Sequence, residues 1–167
     1  MQKKLHVYVL HAIRILGIVG VLLAVFLSIT HYTGTPGEAC PKHKDGVPIC
    51  DIVNQSIYSE ILGIPLAIIA IFVYALYSIF AHLLLHSRKQ NTKNSKRRAN
   101  YLGYFFSSSR LQWALVSLSS ISLVFAGYLI YILYAVLETA CVYCIAAHTL
   151  TFTIFVLSWV SFSLSEK

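Results

Sequence analysis

Cys141-Val142-Tyr143-Cys144-Ile145-Ala146-Ala147-His148 opens an uncharged run that continues to Leu164, and the reading of this run decides the fold. It exceeds the ~20 apolar residues that an α-helix needs to cross a bilayer. The two cysteines are three positions apart and share one helical face. They stand where a polar connection, Glu138-Thr139-Ala140, gives way to the helix. A first helical turn carries unpaired N–H groups and the positive dipole end, which favour thiolate over thiol. His148 follows Cys144 by one turn on the same face.

Working outward, three more stretches have the same character: Ile13–Tyr32, Ile61–Leu85 and Leu111–Leu137. With Val142–Leu164 they predict four membrane spans in one domain covering residues 1–167. The expected fold is therefore an all-α, integral membrane four-helix bundle. Composition agrees: 57% of the 167 residues are hydrophobic and 11% charged, where a soluble domain has about a quarter charged. The basic start Met1-Gln2-Lys3-Lys4 resembles a signal peptide, but the apolar core behind it is long and Thr30-His31-Tyr32 is a poor cleavage context. The first span is read as retained.

The net charge of +7 would suit nucleic acid if it were spread over a soluble surface. Instead, eleven of the thirteen Lys and Arg residues fall at the termini, at Arg14 or in the connection 86–110. That asymmetry is the mark of cytoplasmic segments, so no nucleic-acid partner is expected. The basic loop also suits anionic lipid headgroups. Both termini are expected in the cytoplasm, which puts the connection 33–60 and all four cysteines, Cys40, Cys50, Cys141 and Cys144, on the outer, disulfide-permissive side.

The outer connection runs Cys40-Pro41-Lys42-His43-Lys44-Asp45-Gly46-Val47-Pro48-Ile49-Cys50. Two prolines and a glycine make it a turning segment, which permits a Cys40–Cys50 disulfide. Such a bridge could staple an exposed loop, or serve as a mobile dithiol exchanging with Cys141 and Cys144. A second cysteine pair on the same face favours exchange. The Cys-x-x-Cys pair has redox, metal-binding and structural readings. Tight spacing at a helix start favours redox. A soft-metal transporter or sensor would need His148 or His43 as further ligands, and a structural bridge would close almost no loop. His148 is read as pointing into the bundle, bonded to a ligand or to a neighbouring helix. Residues 54–65 are too polar to span and are expected to form a short interfacial lid helix, turning into the membrane at Gly63 and Pro65. The aromatic stripe Phe125, Tyr128, Tyr131 and Tyr134 suits interfacial anchoring, and Tyr128 or Tyr131 would also suit a pocket for a flat ring.

In combination these features resemble the vitamin K epoxide reductase family. The residues that carry the likeness are the paired-cysteine loop, Ser56 six positions after Cys50, and Tyr58…Leu62-Gly63-Ile64-Pro65-Leu66-Ala67. The segment Tyr128-Leu129…Ile132-Leu133…Val136-Leu137 leading to Cys141-Val142-Tyr143-Cys144 completes it. The order of the cysteine pairs sets it apart from the other quinone-linked disulfide-forming family, whose Cys-x-x-Cys lies in the first outer loop. The resemblance implies a thiol:quinone oxidoreductase, a quinone of the ubiquinone or menaquinone class, and a separate thioredoxin-fold protein as thiol donor, as in stand-alone prokaryotic members. It implies that Cys40 meets the partner, Cys50 exchanges with Cys141, and Cys144 faces the quinone. Cys141 is expected to be the more accessible of its pair. His148, Ser56, Tyr58, Ser59 and Tyr131 are the residues expected around the quinone. Animal members carry a tyrosine where His148 stands and an asparagine in the lid where this chain has Ser59 or nothing equivalent.

Overall fold

The computed structural model describes residues 2–34, 42, 46, 49–54, 56–93, 108–138 and 141–165. Cys40 and residues 94–107 of the basic connection lie outside the described residues. Among the described residues the chain is helical, with one short hairpin of two-residue strands. The four long helices are α1 (Gln2–Thr33), α3 (Leu66–Lys93), α4 (Ser108–Tyr131) and α5 (Val142–Ser165), with a short α2 (Ile49–Asn54) before the second of them. Each long helix, α4 together with the turn that continues it to Val136, supplies a segment long and apolar enough to cross a membrane: Lys4–Thr33, Leu66–Ser87, Ser109–Val136 and Val142–Ser165.

Helices α1 and α3 form the closest pair, because α1 presents glycines at the crossing. A Cβ on Gly17 would come within 3.0 Å of the Tyr74 carbonyl oxygen and the Ser78 amide, and one on Gly20 would run into the Tyr74 ring. Small residues are how membrane helices bring their backbones together. Below this crossing, Leu10, Ile13, Tyr77, Ala81, Leu84, Leu115 and Ile154 form a core drawn from all four long helices. At the end remote from the cysteines, Ser161 on α5 ties three helices together. Gln112 Nε2 on α4 donates to its hydroxyl at 2.8 Å, and His6 Nε2 on α1 lies 3.1 Å from it. All three side chains are buried, and a buried polar group persists only with such partners.

Between α2 and α3 the backbone departs from the expected lid helix. A single 3₁₀ turn (Ile57–Ser59) is followed by a hairpin of β1 (Glu60–Ile61) and β2 (Ile64–Pro65), with Ile61 opposite Ile64. The two residues between the strands, Leu62 and Gly63, both have positive φ, 55° and 77°. Two-residue hairpin turns of the primed type demand that geometry. Helix α3 accordingly begins at Leu66, five residues after the predicted start at Ile61. Pro65 ends β2 immediately before that helix, in place of a position inside its first turn.

Helix α4 ends in a π-helical turn over Ile132–Val136, closed by the Leu137 N–H donating to the Ile132 carbonyl at 3.0 Å. Such a turn inserts one residue into the helical register. It turns Ile132 and Leu133 into the protein, where both are buried.

Candidate functional site

Cys141 immediately precedes the first residue of α5, and Cys144 sits in its first turn. The Cys144 amide donates to Cys141 Sγ at 3.3 Å, and the Cys144 thiol meets the same sulfur at 2.7 Å. Cys141 thus takes the part of an N-cap residue, accepting from an amide the helix leaves unpaired. Both are free thiols. The hydrogen bond from the Cys144 thiol pulls the Cys141 thiol down to about 7; burial opposes this, and the backbone amides of Cys144 and Tyr143 reinforce it.

Cys50 is buried in one cluster with Cys141 and Leu133, flanked by Ile49, Val53, Tyr143 and Cys144. It is disulfide-bonded, and its partner is neither Cys141 nor Cys144, since both are free. The sequence reading had Cys141 as the more accessible member of its pair. The opposite holds: Cys141 is 1% exposed and Cys144 is half-buried. The cause is the neighbouring α2, which packs Cys50 over Cys141.

These sulfurs line a cavity of about 330 Å³, at the small end of the range for ligand pockets. Its walls are Leu66, Ala67, Ile69, Ala70, Val73 and Tyr74 of α3, Leu118, Ile121, Ser122, Phe125, Ala126 and Leu129 of α4, and Ala147, His148 and Thr151 of α5. Ser56, Tyr58 and Ser59 line it from the lid segment. Apolar walls with a few polar groups at the ends fit a flat, uncharged ring bearing oxygens at its edge. The hydroxyl protons of Ser56 and Ser59 go to the lid's own backbone: Ser56 donates to the Val53 carbonyl at 2.8 Å and Ser59 to the Ser56 carbonyl at 2.7 Å. The lid is also held from α1, where His31 Nε2 lies 3.2 Å from Glu60 Oε1.

Of the residues expected around a quinone, His148, Ser56, Tyr58 and Ser59 line this cavity. Tyr131 does not; it is 62% exposed on the outside of α4. The wall positions on α4 (Leu118, Ser122, Phe125, Leu129, Ile132) follow a helical stripe, and both Tyr128 and Tyr131 fall outside it. Beyond the apolar lining, two polar wall residues to which the sequence reading gave no attention are Tyr74 and Thr151. Thr151 was legible, since it stands three residues after His148 on the face that carries Cys144. Tyr74 was not, because nothing in the α3 sequence says which of its faces meets α5.

Four bilayer-length helices around an apolar cavity, with a dithiol and a disulfide-bonded third cysteine at its wall, define a multi-pass membrane protein with three cysteines gathered at one cavity. The profile of the vitamin K epoxide reductase family matches residues 11–159, and the chain belongs to that family. No curated protein sequence matches it. Family membership makes the chain a membrane oxidoreductase that links disulfide chemistry to a quinone.

Proposed function

We propose that the protein couples quinone reduction to disulfide formation in a separate, extracytoplasmic thioredoxin-fold partner. The observation that carries this reading is that Cys50, Cys141 and Cys144 line one apolar cavity large enough for a quinone head. Electrons enter at Cys40, whose partner-facing role lies outside the described residues, and pass through Cys50 to Cys141 and Cys144. The termini lie in the cytoplasm and the cysteines on the outer side, following the distribution of Lys and Arg.

Each transfer is a thiolate attack on a disulfide sulfur. The partner's dithiol reduces the Cys40–Cys50 bridge and is itself oxidised. A Cys50 thiolate then attacks Cys141 of the Cys141–Cys144 disulfide and Cys144 leaves; Cys40 resolves the mixed bridge. Once reduced, the pair carries two electrons and two protons. The quinone, of the ubiquinone or menaquinone class, supplies the two-electron sink. Cys144 faces the ring from the cavity wall, and Cys141, its thiol lowered to about 7, is the nucleophile that closes the bridge on Cys144. His148 and Tyr58 bind the head, and Ser56 and Ser59 shape the cavity around it. The apolar walls exclude water, so the protons released by sulfur go to the ring oxygens.

The alternative, a soft-metal transporter or sensor built on the Cys-x-x-Cys pair and His148, has less support. Among the described residues no three His, Cys, Asp or Glu side chains gather as a ligand set.

The test is turnover of purified protein with a reduced thioredoxin-fold protein and a panel of quinones. Wild-type protein should bleach the quinone absorbance, and Cys144→Ala should abolish this with expression intact. Equal turnover by that variant would refute the assignment.

A further inference from the structure

We propose that the Tyr74 hydroxyl donates a hydrogen bond to the inner oxygen of the quinone, the one farther from the lid, with Thr151 as the positioning residue that aims it. The inference rests on the quinone occupying the cavity as proposed above. It adds a second binding end to that site.

A 1,4-quinone carries acceptor oxygens at opposite edges of its ring, so a site that fixes it needs donors at two levels. At the outer level, Ser56 and Ser59 already donate to lid carbonyls, which leaves Tyr58 and His148 to serve one oxygen. At the inner level the cavity wall includes Tyr74 and Thr151. Thr151 lies seven residues beyond Cys144 on α5, ~10 Å further along the helix axis at 1.5 Å per residue.

The proton count at this inner end leaves a donor available. Tyr74 Oη lies 2.8 Å from the Ala147 carbonyl and 2.9 Å from Thr151 Oγ1, and Thr151 Oγ1 lies 3.0 Å from the same carbonyl. Three contacts share two hydroxyl protons, since each hydroxyl has one. Thr151 can donate to the Ala147 carbonyl or to Tyr74 Oη. In the second arrangement Tyr74 still accepts a hydrogen bond while its own proton turns to a ligand. The pair therefore rearranges without stranding a buried polar atom, which would be costly. Tyr74 is 4% exposed and Thr151 9%, so water does not compete for the proton. The Tyr74 ring is held in place by its contact with Gly20, where no side chain fits.

A purely structural role, pinning α3 to α5, would use the same contacts, and the experiment must separate the two. Full-length protein in lipid nanodiscs is titrated with a short-chain ubiquinone carrying ¹³C at one carbonyl at a time, and read by infrared difference spectroscopy alongside steady-state kinetics. Tyr74→Phe should weaken quinone binding and raise KM about 5- to 10-fold, as loss of one hydrogen bond does. It should move one carbonyl stretch, and only one, toward its free frequency, and leave Cys50–Cys141 exchange unchanged. Thr151→Ala should move the same band less, and Thr151→Ser should restore it. If Tyr74→Phe lowers the melting temperature but leaves affinity and both bands as in wild type, the pair is a helix pin and the proposal is wrong. Should Tyr74→Phe fail to fold, identical bands in Thr151→Ala and Thr151→Ser would overturn it equally. Absence of quinone binding by the wild-type chain would instead overturn the cavity assignment, and this inference with it.

Discussion

Cys141 caps the helix to which Cys144 belongs: its sulfur accepts from the Cys144 amide at 3.3 Å and meets the Cys144 thiol at 2.7 Å. The two cysteines are therefore unequal. One sulfur gathers the donors of a helix start and the other supplies one of them, so a negative charge on the reduced pair settles on Cys141.

This asymmetry has a pH signature. The Cys141 thiol is lowered to about 7, so alkylation of reduced protein at Cys141 should inflect near that pH. Reaction slows below it, as the thiolate takes up a proton, and levels off above it. Cys144→Ala removes the thiol donor, the largest of the lowering causes, and should move the inflection up toward the ordinary thiol range. Peptide mass spectrometry of iodoacetamide adducts across pH 5–10 reads both curves.

The lid is tied to α1 through His31 and Glu60. Glu60→Gln or His31→Ala should loosen the segment carrying Tyr58 and Ser59, raising quinone KM several-fold. Because Glu60 is exposed, its contact with His31 contributes at most about 1 kcal/mol to stability, so the melting temperature should hardly move. A large fall in melting temperature with unchanged KM would show that the pair serves the fold and not the lid.

Gly20 has no room for a side chain beside Tyr74. Gly20→Ala should destabilise the protein by about 1–3 kcal/mol through overpacking, measurable as a lower detergent melting temperature. Gly127, where an added Cβ meets nothing within 4 Å, is the control: Gly127→Ala should leave stability unchanged or slightly raised.

Ser161 bridges Gln112 and His6 far from the cysteines. Ser161→Ala should cost about 1–3 kcal/mol, the penalty for stranding buried polar groups, while quinone KM stays at the wild-type value. Tyr131→Phe should alter neither, since that side chain stands outside the cavity wall.

The four spans were legible because a run of uncharged residues at bilayer length has few other uses, and because lysines and arginines punctuate such runs. The Cys-x-x-Cys pair at the start of α5 was legible from spacing alone. What escaped was local backbone geometry. Leu62 holds a φ of 55°, a conformation that costs a branched side chain about 1 kcal/mol or more. The usual Asn-Gly or Asp-Gly signal of a tight hairpin was therefore absent, and residues 60–65 read as helix. The π turn at Ile132–Val136 also left no mark in the sequence, and which face of α4 forms the wall depends on how that helix packs, so it could not be told from the tyrosine face. Burial of Cys141 depends on where α2 packs, a tertiary fact that no spacing encodes.

The most direct test of electron passage from sulfur to ring removes the loop from the reaction. A Cys40→Ser, Cys50→Ser protein, reduced and freed of reductant, is mixed with excess quinone and followed through one turnover. The account requires one quinol per protein, loss of two hydrogens from the protein mass, and a new Cys141–Cys144 bridge in the peptide map. Quinone left oxidised, with both thiols still open to alkylation, would contradict it.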